Sequence, residues 1–418
     1  MMTFSELQDI VHVCTRKGGP DFYRARYGVQ VDERSRTTSS WDEWHALPII
    51  TKEDLMQVPF SDRTFAPWHT IDAITASSGT SGNPPVYSAR TLNDGYEYRL
   101  QYHDFRKAVL SSMPTPYQQD WILQKNRERG RFVVLDPRRY KASVRLAHIA
   151  DADSLFLILH HLPLIAEEMV RLKMNDRIRF IEIAGEPCSR SLYRYMHAIF
   201  PNAVITSVYG SSDVETSPMG VPCRPLSEEE PLEVYHANEH VHLDVVDTNT
   251  GMAVPITEGT EGDLLITVRA RPDAAFPLIR YKIGDTVRVV ERECKEHGSW
   301  SFAVLGRTQM DFLKVPGGIL RADEVERVLR KVNLPDHFEL CRYERDVPDG
   351  LRIEVVLHVE AAPEADLSAL ALSIAKELRV SAAYTYEHGV RDGLYLPLRC
   401  ERMTNAPKGR KRLRIMQC

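Results

Sequence analysis

The run Ser77–Pro85 (SSGTSGNPP) joins hydroxyl residues and glycines and closes on two prolines, which cannot continue a helix. Such a loop keeps bulk away from its own backbone. Its N–H groups and the hydroxyls of Ser78, Thr80 and Ser81 can therefore converge on phosphate oxygens, with Gly79 and Gly82 allowing the turn. The Gly-Lys-Ser/Thr ending of a Walker loop is missing, which sets aside the common triphosphatase reading. A flexible Ser/Gly linker has the same composition, and these residues alone leave it open. Elsewhere, Cys294-x-x-His297 together with Cys223 and His236 offers a Cys2His2 set suited to a tetrahedral structural zinc ion. Scattered side chains without metal are the alternative there. The basic end, Pro407–Arg414 (PKGRKRLR), reads either as a solvated tail or as a source of a cation for anionic chemistry. Neither Ser78 nor Ser211 sits in a Gly-x-Ser-x-Gly elbow, so serine hydrolysis is a poor reading.

Elements that would position these residues follow from apolar periodicity. Arg179–Ala184 (RFIEIA) and Ala203–Tyr209 (AVITSVY) read as strands, each ending at a glycine, with a helix over Ser189–Phe200 between them. Strand–helix–strand at this spacing predicts a parallel α/β unit. His240–Asp247 (HVHLDVVD) alternates as a strand with one buried face does, the turn Asn249-Thr250-Gly251 follows, and Leu264–Val268 is the expected partner. Beyond Gly306-Arg307, a helix is expected over Asp323–Val332, a strand over Leu351–Val359 and an amphipathic helix over Asp366–Leu378. The tail of about 110 residues suits a small α+β domain. The expected class is α/β: an N-terminal domain of residues 1–306 with parallel-sheet units, then a C-terminal domain of residues 307–418.

The 418 residues are 43% hydrophobic and 27% charged, the make-up of an ordinary globular protein. A net charge of −5 argues against a nucleic-acid partner, which needs a basic surface. The most apolar stretch, Leu155–Ile165, carries His160 and His161 and is too short to span a bilayer. The seven cysteines are mostly far apart, and Met1–Pro20 lacks a secretory pattern, which fits a reducing cytoplasm.

Several short motifs occur in order: SSGTSGNPP at 77–85, AGEP at 184–187, YGSSD at 209–213, LIRYKIGD at 278–285 and GRTQMDFLKVPG at 306–317, with the basic end at 407–414. Their order and separations resemble the acyl-adenylate-forming ligases, and AGEP with LIRYKIGD is most similar to the phenylacetate–CoA ligase branch. The resemblance is good over about residues 70–90 and 180–330, loose at the C-terminal end, and hardly extends to 90–150. It implies a large adenylate-forming domain and a small mobile C-terminal domain rotating at the hinge. It also implies activation of a carboxylic acid by ATP and Mg2+, with release of pyrophosphate and transfer of the acyl group to coenzyme A. Ser78, Gly79, Thr80, Ser81 and Gly82 would hold the β- and γ-phosphates. Tyr209 would pack on adenine beside Gly210 and Ser211, near Gly185, Glu186 and Pro187, with Ser212 at the α-phosphate. Asp213, where the family usually has Glu, would help hold Mg2+. Asp285 would take the ribose hydroxyls, and Arg307 would reach the ribose or phosphate from the hinge. Lys411, three residues before Arg414, would neutralise the adenylation transition state, with Lys408 as the other candidate. Asn83, Gln309 and Arg410 depart from the family pattern.

The acid is expected between residues 140–165 and the strand ends at Ala184 and Tyr209, with His160 a candidate contact. The branch favours an aromatic acid. Other readings stay open: delivery of the acyl group to a carrier-protein thiol or an amine, and a nucleotide-binding regulator that has lost catalysis. A homodimer is equally open, and no membrane partner is expected.

Overall fold

The computed structural model describes residues 2–27, 40–65, 67–71, 73–76, 86–90, 108–111, 131–136, 139–185, 187–188, 190–211, 213–214, 219–228, 233–268, 277–307, 312–316, 318–335, 338–348, 350–381, 384–403 and 414–417. The chain opens with short helices α1 (Phe4–Thr15), α2 (Asp21–Tyr27), α3 (Trp41–Ala46) and α4 (Lys52–Met56). Two of them start at a capping box, Thr3 with Glu6 and Thr51 with Asp54, in which side chains satisfy the orphan N–H groups of the first turn. The hairpin β1 (Ala73–Ala76) and β2 (Tyr87–Arg90) follows, with Ala76 paired to Tyr87.

A parallel layer comes next: β3 (Ala108–Ser111), β4 (Arg131–Val134), α5 (Tyr140–Ile149), β5 (Ser154–Ile158), α6 (Leu162–Arg171), β6 (Phe180–Ala184), α7 (Arg190–Ile199) and β7 (Val204–Val208). The sheet runs β4-β3-β5-β6-β7 and every pair is parallel. Its central strands are near-continuous apolar runs because both faces are buried. All carboxyl ends open on one edge, where Leu159–His161, Gly185 and Tyr209 lie. The winding reverses at β3, and ligands bind at that edge of such sheets.

The second sheet is antiparallel, in the order β10-β11-β12-β13-β9-β8. Its strands are β8 (Gly220–Pro222), β9 (Tyr235–Ala237), β10 (Val241–Val246), β11 (Glu261–Val268), β12 (Tyr281–Glu291) and β13 (Ser301–Arg307). The alternating pattern of β10 predicts one wet face, yet all six residues are buried. The reason is α3, which covers the polar face. The Trp44 indole N–H donates to Asp244 at 3.1 Å, and His242 stacks 5.6 Å from Trp41. Asp244 also takes a 3.1 Å hydrogen bond from His242 and lies 3.5 Å from Arg280, itself 1% exposed. Burial alone would raise this carboxyl; the hydrogen bonds from His242 and His45 and the Arg280 charge outweigh it and hold the carboxyl far below its ordinary range. Arg280 adopts the left-handed conformation (φ 48), held by its N–H to Thr267 Oγ1 at 2.9 Å and its carbonyl to the Ile50 N–H at 3.1 Å.

The C-terminal part continues with β14 (Phe312–Val315), β15 (Gly318–Arg321), α8 (Ala322–Lys331), β16 (Phe338–Val347), β17 (Gly350–Val359), α9 (Leu367–Glu377), β18 (Arg379–Ser381), β19 (Tyr384–Thr385), α10 (Tyr386–Arg391), β20 (Arg399–Arg402) and β21 (Arg414–Gln417). Its main sheet runs β20-β17-β16-β21 around a core of its own, built from Leu313 to Cys400. The β16–β17 turn packs on α7: Leu351 joins the core of the parallel layer, and Gly350 (φ 128) lies against the Tyr195 ring. Among the described residues no helix is long and apolar enough to cross a membrane.

Removing the Asp244 carboxylate strands the Arg280 charge in the interior. Asp244→Ala should cost about 3–5 kcal/mol of unfolding free energy in urea titrations. The carboxyl is depressed in the fold, so its contribution should be complete above the unfolded value of about 3.9 and shrink as pH falls below it. A loss under about 1 kcal/mol at neutral pH would show that the cluster is dispensable.

Candidate active site

Beyond β7 the chain leaves the parallel sheet and joins the second one at a single residue. The Tyr209 N–H donates to the Gly220 carbonyl at 3.1 Å, and the Gly220 N–H returns a bond to Tyr209 at 3.0 Å. The Tyr209 ring packs against Tyr235 and Phe302, each centroid 5.8 Å away. Gly220 keeps this junction close, since a Cβ there would lie 3.1–3.2 Å from Tyr209 Cβ, Phe302 Cζ and Tyr235 Cβ and press on the aromatic wall.

Two phenol–carboxylate hydrogen bonds join this segment to β12. Tyr209 Oη donates to Asp285 Oδ2 at 2.6 Å, and Tyr281 Oη donates to Asp213 Oδ2 at 2.9 Å. Each segment reads Tyr-x-x-x-Asp, and each tyrosine reaches the other segment's aspartate. All of these side chains are at most 8% exposed. Bonds to a carboxylate in such a setting contribute about 1.5–3 kcal/mol each. Gly284 (φ 88) precedes Asp285 at a register shift in the β11–β12 pairing, a bulge that re-aims the side chain after it. Across the β12–β13 ladder, Asp285 is the direct partner of Arg307, which places both on one face.

The serine-rich loop lies outside the described residues, including Ser78, Gly79, Thr80, Ser81 and Gly82; its flanking hairpin does not. Ser88 on β2 is fully buried, and its Oγ donates to the Asp213 carbonyl at 3.5 Å. The Asp213 N–H donates to Ser211 Oγ at 3.3 Å. Gly210 follows Tyr209 at the same sheet edge, where Ala184 ends β6 and Gly185 turns with φ 85. After Pro187, the Cys188 N–H donates to Glu233 Oε2 at 2.9 Å, and Tyr235 Oη donates to Glu233 Oε1 at 2.9 Å. Glu233 thereby ties the AGEP turn to the wall behind Tyr209. Burial first, and then the Glu233 charge, keep the Tyr235 phenol protonated. His160 lies in the 3-10 turn after β5, at the same edge, with its side chain outside the description. The same holds for the Arg307 side chain, and Glu186, Ser212, Lys408 and Lys411 lie wholly outside it.

Tyr209, Asp213, Asp285 and the backbone of Arg307 are therefore brought together, with Ala184 and Gly185 on the neighbouring strand end. Cys223, His236, Cys294 and His297 form a separate cluster of their own. Tyr281 and Glu233 carry no role in the sequence reading. The repeated Tyr-x-x-x-Asp spacing was a usable signal for Tyr281; nothing local marks Glu233. A separate open groove on the C-terminal part, lined by Val332, Leu334, Val359, Leu370 and Arg402, shares no residue with the site.

No family model and no curated protein sequence matches this chain. Solved structures do. A 2-hydroxyisobutyryl-CoA ligase in complex with 2-HIB-AMP and CoA, in the thioesterification state, aligns with a TM-score of 0.66 at 15% identity, covering 99% of this chain and 88% of that one. An open conformation of the same ligase gives 0.62 at 14% identity, covering 99% and 90%. An o-succinylbenzoate CoA synthetase from Bacillus subtilis gives 0.50 at 15% identity, covering 88% and 74%. The fold is that of the acyl-adenylate-forming ligases. In this ligase fold the alignment takes in nearly the whole chain, the C-terminal part included.

The crossed pairing predicts a specific energetic pattern. Double-mutant cycles on unfolding, with Tyr→Phe and Asp→Asn, should give coupling of about 1–3 kcal/mol for Tyr209 with Asp285 and for Tyr281 with Asp213. Tyr209 with Asp213 should couple far more weakly. Equal coupling within and between the pairs would contradict the exchange.

Proposed function

We propose that this protein activates a carboxylic acid with ATP, forming an acyl-adenylate and pyrophosphate, and then passes the acyl group to the thiol of coenzyme A. The observation that carries this reading is the union of Tyr209, Asp213 and Asp285 at the carboxyl edge of the parallel sheet, with the hairpin of the serine-rich loop anchored on Asp213. The ligase fold supports it.

In the first step a substrate carboxylate oxygen attacks the α-phosphorus. The bond from that phosphorus to the bridging oxygen breaks, and pyrophosphate leaves with the electron pair. Two anions must approach, so the site has to supply donors and positive charge. Hydroxyls and N–H groups of Ser78–Gly82 take the departing phosphates. Tyr209 presents its ring to adenine, with Tyr235 and Phe302 behind it. Asp285 accepts from the ribose hydroxyls, two oxygens against a vicinal diol, and Arg307 sits opposite it on β13. Asp213, a carboxylate held in one orientation by Tyr281, is the residue that would hold a Mg2+ ion. When bound, the ion shields the phosphate charge. Lys411 brings its ammonium to the developing charge. In the second step the thiolate of coenzyme A attacks the acyl carbonyl carbon and AMP departs.

The acid lies against Ala184, Gly185 and the turn at His160. We infer an aromatic acid from the similarity of AGEP and LIRYKIGD to the phenylacetate–CoA ligase branch. One structural relative is named for an aliphatic hydroxy acid and another for a substituted benzoate, so both classes belong in the test.

ATP-dependent pyrophosphate release should appear with at least one member of a panel of aryl and short aliphatic acids, and thioester should follow when coenzyme A is added. Pyrophosphate release without thioester would turn the reading to an amine or carrier-protein acceptor. ATP binding with no acid-dependent release across the panel would overturn it in favour of a nucleotide-binding regulator. Asp285→Ala should raise the KM for ATP about tenfold or more, equivalent to about 1.4 kcal/mol. Lys411→Ala should lower kcat for adenylation about a hundredfold with little change in that KM; if Lys408→Ala does so instead, the cation is Lys408.

A further inference from the structure

The geometry points to a closed zinc site formed by Cys223, His236, Cys294 and His297, which clips together the far ends of β8, β9 and the β12–β13 connection. The inference does not depend on the proposed reaction.

These side chains come from three separate segments. Cys223 follows β8, and its N–H donates to the Val234 carbonyl at 2.8 Å. His236 lies within β9, paired with Ser301 of β13. Cys294 and His297 occupy the link between β12 and β13. That link is closed by the Gly298 N–H to the Cys294 carbonyl at 2.7 Å and the Cys294 N–H to the Ser299 carbonyl at 2.9 Å, with Gly298 at φ 61.

The ligand atoms of Cys223, His236 and His297 lie within 4.8 Å of one another. Cys223 Sγ and Cys294 Sγ are 3.8 Å apart. Two thiolates on one tetrahedral zinc, at about 2.3 Å each, are separated by about 3.8 Å. A disulfide would bring them to about 2.0 Å.

A second, independent observation concerns His236. Its Nδ1 lies 3.1 Å from the Trp300 carbonyl oxygen. A carbonyl can only accept, so Nδ1 carries the proton and Nε2 presents a lone pair. His236 is 2% exposed, and its buried Nε2 has no hydrogen-bond partner among the described residues. Leaving such a buried acceptor unmet is destabilising. A metal ion would satisfy it, and the Trp300 carbonyl is then the outer partner that fixes the ring and its tautomer. Two thiolates and two imidazoles in a compact set select zinc among the common divalent metals. Protein side chains fill all four positions, so the ion is structural.

The position has a consequence for the aromatic wall. Tyr235 precedes His236 on β9, and neighbours along a strand face opposite sides. Phe302 follows Ser301, the partner of His236. A metal on one side of these strands therefore holds the register that sets Tyr235 and Phe302 against Tyr209 on the other.

The test uses the full chain, purified without a polyhistidine tag and without added metal. Elemental analysis should find about one zinc per chain. Exchange with Co2+ should give intense tetrahedral d–d bands and a thiolate charge-transfer band. In Cys294→Ser that band should fall to about half, one of two thiolates being gone. Should the variants fail to fold, the wild-type protein decides: a chelator should lower its melting temperature, and zinc, but not Mg2+, should restore it. Absence of zinc together with absence of the charge-transfer band on Co2+ addition would overturn the site. So would recovery of Cys223 and Cys294 as a disulfide from protein purified under reducing conditions.

Discussion

The site depends on a constraint imposed by burial. Four side chains at the junction of two sheets, Tyr209, Asp213, Tyr281 and Asp285, are taken almost wholly out of water, and each carboxylate there must find a donor. The crossed phenol–carboxylate bonds answer that need. In this crossed pair each tyrosine reaches the aspartate of the other segment, so the end of β7 and the start of β12 are tied to each other. Whatever binds at the sheet edge meets carboxylates whose orientation is already set.

The same logic recurs one layer deeper. Residues 277–281 lead into β12 through the left-handed backbone of Arg280, and the N-terminal helices hold that lead-in from behind. Tyr23 donates to the Pro277 carbonyl, Tyr27 donates to Ile279 at 3.3 Å, and Ile50 bridges to Tyr281. Asp244 offsets the Arg280 charge from the neighbouring sheet. The described N-terminal helices, which carry none of the candidate site residues, thus pack against the lead-in to Tyr281 and Asp285. Glu233 does comparable work on the other flank, joining the turn after β6 to Tyr235.

The nucleotide side of the proposed cleft is built from the aromatic wall and the register shift that precedes Asp285. Among the described residues, the C-terminal part meets the parallel layer at the β16–β17 turn, with Leu351 in its core and Gly350 against Tyr195, and at Leu394.

Much of the architecture was legible from local pattern. The strands over 180–184 and 204–208 with their intervening helix, the β10–β11 hairpin, and the later helix–strand–helix run each follow from apolar spacing and turn residues, which act over a few positions. Motif order indicated the fold through its resemblance to the acyl-adenylate-forming ligases, since each short loop alone has a commoner reading. Tertiary structure alone decided which groups meet. The burial of both faces of β10 came from a helix 200 residues away, Trp44 against Asp244, and no periodicity within β10 could report it. The pairing of Tyr209 with Asp285, the role of Glu233, and the approach of Cys223 to Cys294 likewise join segments far apart in the chain. Local sequence sets what a side chain is able to do. Which partner it finds is set by how sheets stack and registers close, and that information is spread over the whole molecule.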